Sequence, residues 1–184
     1  MERKNKLTNS MAYLIGPMDE VPDLGADWRE MMSKWLWDLD IGVLNPCDKP
    51  TNFAKEDIPA RDQIEQLKQQ QKYDEAHDIV KDIVSVDLHM VDLSSFVIMF
   101  IDKDVHMCGS YSEMTYAAFE HKPVIICCKQ GKNAVPGWVY GMCDHNLFFE
   151  CWDDVKSYIR QVALYSKFND PQWRFINYNK VFNR

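Results

Sequence analysis

The chain has 184 residues, a length typical of one globular domain. Its composition is 46% hydrophobic and 12% aromatic, which excludes an intrinsically disordered protein. Twenty-one basic against 28 acidic residues give a net charge of −7, which argues against a nucleic-acid polymer as partner. The longest apolar run, residues 96–101, is too short to cross a bilayer, and the N-terminus lacks a signal-peptide core. We therefore expect a soluble, cytoplasmic protein.

The six cysteines contain no C-x-x-C pair, and two of them are adjacent in an apolar run. This pattern favours buried free thiols over disulfides. A zinc site built from His106, Cys108, Cys143 and His145 is an alternative, although it draws its ligands from distant loops. We expect no metal and no other cofactor.

The first half of the chain predicts a strand, a helix and a second strand. Residues 1–10 are polar and are expected to be flexible. Residues 11–15 are apolar and end at Gly16-Pro17, which predicts a buried strand. Residues 28–39 have the apolar spacing of one helical face, and residues 41–45 form a short strand that ends at Pro46. Strand, helix and strand in this order predict a right-handed parallel crossover.

The second half continues the alternation after a polar segment. Residues 49–75 predict an exposed helical insertion, and a long helix follows from residue 76. Residues 95–101, 123–128 and 147–149 predict three further strands. One helix is predicted over 110–120, between the first two of these strands, and another over 152–164, after the last. The tail, residues 165–184, is rich in aromatic residues (Trp173, Phe175, Tyr178 and Phe182). We expect it to pack on the domain or on a neighbouring subunit of a homo-oligomer.

These elements predict one domain over residues 11–164, an α/β doubly wound three-layer sandwich with a five-stranded parallel sheet, as in flavodoxin-like folds. Ligands of such folds bind in the crevice beyond the carboxyl ends of the strands. We therefore expect the functional residues in or near the loops after residues 15, 45, 101 and 128.

These loops lack both the G-x-G-x-x-G fingerprint and the G-x-x-x-x-G-K-[ST] loop, which argues against dinucleotide binding and P-loop chemistry. Acids and hydroxyl groups lie in or near these loops instead: Tyr13 and Asp19 near the first strand, Asp87 and Asp92 before the strand over 95–101, and Asp102, Asp104, Ser110, Tyr111 and Glu113 after it. Carboxylates without a strong electrophile indicate glycosidic-bond or metal-phosphate chemistry.

Three motifs and one spacing resemble a known family. The motifs are the sequence Tyr-Leu-Ile-Gly-Pro-Met over residues 13–18, Asn45-Pro46, and Gly109-x-Tyr111-x-Glu113. Asp87 precedes Glu113 by 113 − 87 = 26 positions. Together they resemble the nucleoside 2-deoxyribosyltransferase superfamily, with its nucleotide N-glycosidase and phage-borne branches, over roughly residues 11–160.

The resemblance implies a double displacement at the anomeric carbon of a 2-deoxyribonucleoside or its monophosphate, without a cofactor. Glu113 would attack the sugar, Asp87 would handle the proton of the departing base, and Tyr13 would orient Glu113. The partners would be a small nucleoside or nucleotide and a free base. The implied substrate-binding residues are Gly16, Pro17, Met18, Asp92, Gly109, Ser110 and Tyr111.

The chain departs from the family pattern in two respects. The transferases have a further acidic residue a few positions before the glutamate, whereas here the nearest acids, Asp102 and Asp104, lie farther upstream. The contact to the sugar hydroxyl is therefore unassigned. The insertion over residues 49–75 is also longer than the family pattern and is a candidate lid.

Four other interpretations stay open at this point. A hydrolase of nucleoside 5′-monophosphates would use water as acceptor and take phosphate donors from Ser110, Ser112, Arg29 and the amides after Gly16. Asp102-x-Asp104 resembles the D-x-D motif of magnesium-dependent phosphotransferases. Ser110-x-x-Glu113 is also a capping-box pattern, in which Glu113 only caps a helix. Finally, the chain could be a nucleotide-binding module without catalysis.

Overall fold

The computed structural model describes residues 5–18, 21–49, 53–165, 168 and 170–176. Its centre is a five-stranded, all-parallel sheet with the order β2-β1-β3-β4-β5. The strands are β1 (Met11–Ile15), β2 (Gly42–Leu44), β3 (Phe96–Ile101), β4 (Val124–Cys128) and β5 (Phe148–Phe149). This order reverses direction between β1 and β3, so the sheet is doubly wound as the sequence predicts.

Helices cover both faces of the sheet. They are α1 (Ala26–Trp37), α2 (Ile58–Gln69), α3 (Tyr73–Leu93), α4 (Cys108–Phe119), α5 (Gly137–Met142) and α6 (Trp152–Leu164). One core cluster joins α3 and α4 to the sheet through Met90 and Met114. The opposite cluster joins α1 and α6 through Leu36 and Ile159. The three-layer sandwich is therefore confirmed.

Most predicted elements are found with small changes at their ends. Strand β1 and helix α6 have the predicted bounds, and α1 begins and ends two residues earlier than predicted. The insertion consists of α2 and its flanking loops, and α3 begins at Tyr73, inside the segment assigned to the insertion. Helix α5 was not predicted, since its six residues are too few to show a periodic pattern.

Residues 5–10 are packed against the domain, so the expectation of a flexible stretch over residues 1–10 does not describe them. Leu7 is fully buried in the cluster beneath α1 and α6. The backbone N–H of Lys6 donates to the carbonyl of Ala163 at 2.8 Å, and that of Asn9 to the carbonyl of Asp40 at 3.0 Å. The buried Leu7 side chain and these backbone hydrogen bonds together hold the segment against the domain.

The described part of the tail packs on its own domain. Trp173 is 2% exposed, and its ring centre lies 4.9 Å from that of Phe96. Its Nε1 donates a 2.7 Å hydrogen bond to the hydroxyl of Tyr158. This part of the tail therefore needs no second subunit to bury its aromatic residues, while Tyr178 and Phe182 lie outside the described residues.

All six cysteines are free, in agreement with the absence of paired spacing. Only Cys127 and Cys128, which lie in strand β4 next to the central strand β3, are buried, so the expectation of burial holds for these two. Within the described ranges, no helix is both long and apolar enough to span a membrane.

The packing of the N-terminal segment can be tested with Leu7→Ala. Because Leu7 is fully buried, the substitution should lower the free energy of unfolding by about 2 to 5 kcal/mol, as measured by urea denaturation. Thr8→Ala, at the neighbouring exposed position, should change it by less than about 0.5 kcal/mol. Equal, near-zero effects of both substitutions would mean that residues 5–10 are not packed in solution.

Candidate active site

A cavity of about 900 Å³ opens beyond the carboxyl ends of β1, β2 and β3. The loop after β1 and the loop between β3 and α4 form its floor, and α2 and α3 form its walls. It therefore lies where the strand order reverses, which is the usual ligand site of doubly wound folds. Its lining contains the carboxyl groups of Glu56, Asp57, Glu65, Asp87 and Glu113.

Glu113 lies in the second turn of α4 and points into the cavity. Helix α4 begins at Cys108 after Met107, which makes no side-chain cap. Ser110 is therefore inside the helix, and the capping-box interpretation of Glu113 is wrong. The hydroxyl of Tyr13, a fully buried residue of β1, donates a short hydrogen bond to Oε1 of Glu113.

Burial raises the pKa of the Glu113 carboxyl to about 7, and the nearby Glu56 adds to the increase. The Tyr13 hydrogen bond and the positive charges of Arg29 and Lys49 act in the opposite direction. Burial and the carboxylates of Glu113 and Asp87 also raise the pKa of Tyr13 well above its ordinary value, so its hydroxyl remains a donor. Glu113 is thus a desolvated carboxyl that ionises near neutral pH.

Asp87 lies on the face of α3 that lines the cavity and is buried. The Nζ of Lys49 lies 2.8 Å from its Oδ1 and 2.5 Å from Oε1 of Glu56, and the Lys49 side chain is 2% exposed. Lys49 and Glu56 both come from the loop between β2 and α2. This loop therefore brings a cation and a second carboxyl to the predicted proton donor.

The three groups of this cluster change one another's ionisation. Burial raises the pKa of Glu56 to about 7, with a further increase from the charge of Asp87. Burial also raises the pKa of Asp87, against the opposing effect of Lys49. Burial alone would lower the pKa of Lys49, but the two carboxylates outweigh it, so the pKa is raised and Lys49 remains charged. The cavity therefore has a carboxyl pair that can hold a proton near pH 7.

The loop after β1 is held by Arg29 of α1, which is fully buried. Its guanidinium donates to the carbonyl oxygens of Leu14, Gly16, Leu24 and Gly25 at 2.8–3.2 Å. These bonds leave little of the guanidinium free for a ligand, although its charge still lowers the pKa of Glu113.

Two glycines make this arrangement possible. A Cβ on Gly16 would lie 2.7 Å from the Trp28 ring, and Gly25 has a φ of +70° with the Arg29 guanidinium 2.4 Å from the position of a Cβ. Larger residues would displace the arginine or the loop. The Gly16-Pro17 motif is therefore tied to the packing of Arg29 and Trp28.

The cavity brings most of the predicted site residues together. Asp87 and Glu113 line it, and Tyr13 lies behind Glu113 and contacts it. The predicted substrate-binding residues that line it are Gly16, Pro17, Met18, Gly109 and Ser110. Asp19 lies outside the described residues.

Asp92 and Tyr111 do not line the cavity, and their assignment as substrate-binding residues does not agree with their positions. Asp92 lies at the far end of α3, where it accepts a 2.7 Å hydrogen bond from the Tyr116 hydroxyl. It follows Asp87 by five residues, which is a rotation of about 140° around the helix. Tyr111 packs against the core cluster between α4 and the sheet.

The sequence did not single out Lys49 or Glu56. Lys49 follows Asn45-Pro46 in the loop after β2. This is one of the loops where the predicted fold places ligand-binding residues. That proximity is the only signal, because Glu56 is one of many charged residues in the segment over residues 49–75. Their contacts with Asp87 depend on the conformation of a loop, and the spacing of apolar residues in the sequence does not predict loop conformations.

Two alternative sites find little support in the geometry. Asp102 accepts from Lys129 and Gln130 at 2.6 Å, and Asp104 pairs with Lys103 at 2.5 Å, so both acids already have cationic or polar partners away from the cavity. Over the residues that the structure describes, no group of three or more His, Cys, Asp or Glu side chains is placed to hold a metal ion. The proposed zinc ligands therefore do not converge.

No protein-family model matches the chain, and no curated protein matches its sequence. Among solved structures, it is similar to a 2-deoxyribosyltransferase from the psychrotolerant bacterium Bacillus psychrosaccharolyticus, with a TM-score of 0.57 and 14% identity. That match covers 84% of this chain and 97% of the other. The chain therefore has the fold of a 2-deoxyribosyltransferase, which confirms the predicted fold.

Two further solved structures are more distant. A 2-deoxyribosyltransferase from Leishmania mexicana has a TM-score of 0.48 and 16% identity over 81% of this chain and 95% of the other. A CMP N-glycosidase from Clostridium botulinum has a TM-score of 0.43 and 13% identity over 83% of this chain and 98% of the other.

The raised pKa of Glu113 predicts a pH-dependent effect of Glu113→Gln on stability. The folded pKa of about 7 exceeds the ordinary value of 4.5. Stability contributed by this group is therefore fully present below pH 4.5 and is lost as the pH rises towards 7. The neutral glutamine avoids this loss, so the variant should gain on the order of 1 to 3 kcal/mol relative to the parent between pH 5 and 8.

Urea unfolding at pH 5 and at pH 8 measures the difference in unfolding free energy between the variant and the parent. Glu120→Gln, at an exposed position just after the same helix, is the control and should show a difference that does not change with pH. An equally constant difference for Glu113→Gln would show that the Glu113 carboxyl is not desolvated in the folded protein.

Proposed function

We propose that the protein cleaves or transfers the N-glycosidic bond of 2-deoxyribonucleosides or their monophosphates through a covalent glycosyl-Glu113 intermediate. The observation that carries this proposal is the placement of Glu113 and Asp87 in one cavity, with Glu113 oriented by Tyr13. The fold shared with the Bacillus 2-deoxyribosyltransferase supports it.

In the first step, an oxygen of the ionised Glu113 bonds to C1′ of the sugar while the C1′–N bond breaks. The electron pair of that bond moves to the base, which accepts a proton from Asp87. The transition state has oxocarbenium character, so a nearby carboxylate lowers its energy. A carboxylate poorly solvated in the ground state, as burial makes Glu113, interacts strongly with this developing positive charge.

In the second step, an acceptor releases the sugar from Glu113. A second base regenerates a nucleoside, whereas water yields the free sugar, and Asp87 in its ionised form takes the proton of the acceptor. Tyr13 remains hydrogen bonded to the carboxyl throughout and limits its rotation. Transfer and hydrolysis thus use the same residues and differ only in the acceptor.

Hydrolysis of 5′-monophosphates is the second candidate, and one observation favours it. Ser110, Ser112 and the N-terminal turn of α4 line the cavity, and hydroxyl groups with helix N-terminal amides bind phosphate well. Arg29, in contrast, is occupied by carbonyl oxygens. Deoxynucleosides and their monophosphates, each with and without a second base, would separate these reactions when the products are analysed by chromatography.

Mass spectrometry distinguishes the enzyme from a binding module without catalysis. A protein incubated with deoxynucleoside and then denatured should carry the mass of one deoxyribosyl group, and peptide mapping should place it on Glu113. A bound intact nucleoside with no covalent adduct would favour the binding module.

Substitutions of the two carboxylates should separate their roles. Glu113→Gln removes the nucleophile and should abolish base release. Asp87→Asn removes only proton transfer, which is typically worth about 100-fold to 10,000-fold, and should leave slow cleavage. Glu120→Gln, on an exposed surface, should retain the parent rate. A folded Glu113→Gln protein with near-parental turnover would contradict the mechanism.

Chelation separates this chemistry from magnesium-dependent phosphotransfer. Attack of a carboxylate on C1′ requires no Lewis acid, so base release should continue unchanged in excess EDTA. Loss of turnover in EDTA that magnesium restores would instead favour the Asp102-x-Asp104 interpretation. Asp102→Asn, assayed in parallel, should leave base release unaffected.

A further inference from the structure

Lys49, Glu56 and Asp87 form a cluster that the two-carboxylate mechanism does not use in full. The Nζ of Lys49 lies 2.5 Å from Glu56 Oε1, 2.8 Å from Asp87 Oδ1 and 2.9 Å from the carbonyl oxygen of Ala54. The side chains of Lys49, Glu56 and Asp87 are 2%, 20% and 12% exposed. The ammonium group is therefore enclosed, and both carboxyls are held by the same cation.

The cluster has more negative than positive charge when both carboxyls are ionised. Oε1 of Glu56 and Oδ1 of Asp87 are buried, and apart from the ion pairs with Lys49 neither accepts a regular hydrogen bond from a described residue. A proton between the two carboxyls would give them a hydrogen bond and make the cluster neutral.

The surroundings of the cluster favour this neutral form. The charge of a further carboxyl, Glu113, acts on Asp87, and the buried Tyr13 lies within the field of Glu56 and Asp87. The charge of Arg29 reaches Glu56, and the thiol of Cys47 lies near both Arg29 and Glu56. A second net negative charge beside Glu113 would therefore be unfavourable before substrate reacts.

We infer that Glu56 and Asp87 share one proton, that Asp87 delivers it to the leaving base, and that Lys49 stabilises the negative charge then left on the pair. This inference rests on the proposed function and assigns its proton source. Glu56 acts as a proton-holding partner that lines the cavity, and Lys49 is a positioning residue.

The charges balance across the step. Before it, Glu113 carries one negative charge, and the cluster of one cation, one carboxylate and one carboxylic acid is neutral. When Glu113 bonds to C1′ it becomes a neutral ester, and the proton moves from Asp87 to an acceptor atom of the base. Glu56 and Asp87 are then both ionised beside Lys49, so the net charge of the site is unchanged. The negative charge has moved from Glu113 to the cluster.

This transfer of charge couples the two chemical events. The charge of Glu113 raises the pKa of Asp87. Bond formation at C1′ removes that charge, so Asp87 becomes a stronger acid at the moment when the base needs its proton. The loop between β2 and α2, which contributes Lys49 and Glu56, thereby participates in the chemistry.

Two substitutions with opposite effects test the inference through the pH dependence of kcat/KM for a deoxynucleoside. The alkaline limb of the parent should report loss of the shared proton. Lys49→Met should move that limb to higher pH, because the pair holds its proton more tightly without the cation. Glu56→Gln should move it to lower pH by about one unit or more, because Asp87 no longer has a like charge beside it. The exposed controls Lys55→Met and Glu75→Gln should leave the profile unchanged.

The leaving group provides a second readout. Both variants should lose about tenfold or more on a deoxynucleoside near neutral pH. On 4-nitrophenyl 2-deoxyriboside, whose phenolate leaves without protonation, both should remain within about threefold of the parent. Lys49→Arg, which keeps the charge, should recover most of the deoxynucleoside activity. Shifts of the alkaline limb in the same direction, or equal losses on both substrates, would overturn the inference.

The outcome for Glu113→Gln keeps the two proposals distinguishable. If that variant cleaves either substrate, the proposed function fails. If it is inactive while the cluster variants behave like the parent, only the inference fails.

A measurement on the unsubstituted protein is independent of activity and of variant folding. Carbon-13 NMR of the labelled carboxyls should show one proton on the Glu56–Asp87 pair at pH 6. Full ionisation of both carboxyls at that pH would overturn the inference.

Discussion

The central constraint in this structure is the burial of three carboxyl groups around one cavity, where the charges of Lys49 and Arg29 oppose the effect of burial on Glu113. Glu113, Asp87 and Glu56 all have raised pKa values because burial penalises their charged forms. Lys49 and Arg29 offset part of this penalty but cannot neutralise three negative charges. The site therefore retains protons near neutral pH, which is the property that acid–base chemistry on a leaving base requires.

The fold supplies these groups from separate elements that meet at one edge of the sheet. Strand β1 supplies Tyr13, and α4, which follows β3, supplies Glu113; the two strands are neighbours in the parallel sheet. Because parallel strands end at the same edge, the loop after β1 and the start of α4 become two sides of one crevice. Arg29 fixes the first of these sides by bonding to Gly16 and Gly25. The carboxylate geometry therefore rests on backbone contacts of the sheet and its loops.

The sequence predicted the sheet and most of the residues that meet at the candidate site, the first from local patterns and the second from the order and spacing of short motifs. Apolar runs and helical spacing located the strands and the principal helices, and the motif order identified Glu113, Asp87 and Tyr13. Asp92 and Tyr111 were assigned from the family resemblance, without regard to the direction in which each side chain leaves its helix. Tyr111 precedes Glu113 by two residues, about 200° around α4, so the two side chains leave the helix on different sides. Lys49 and Glu56 could not be predicted, since their contacts are set by a loop without periodicity.

Next to Asp87 the cavity wall contains aliphatic side chains, which a base would contact in the proposed reaction. Ile83 and Val84 precede Asp87 by one helical turn and line the same cavity, and Ile64 of α2 lines it as well. A base that takes a proton from Asp87 would therefore lie against aliphatic side chains, which provide contact area but few hydrogen bonds. Aliphatic side chains discriminate weakly between flat heterocycles, whereas a buried polar group of the protein requires a hydrogen-bonding partner on the base. Glu65 and Lys68 lie on the same helix as Ile64 and also line the cavity. In the proposed reaction the base would therefore meet both aliphatic and charged side chains on this wall, and the charged ones are the groups that can select between bases.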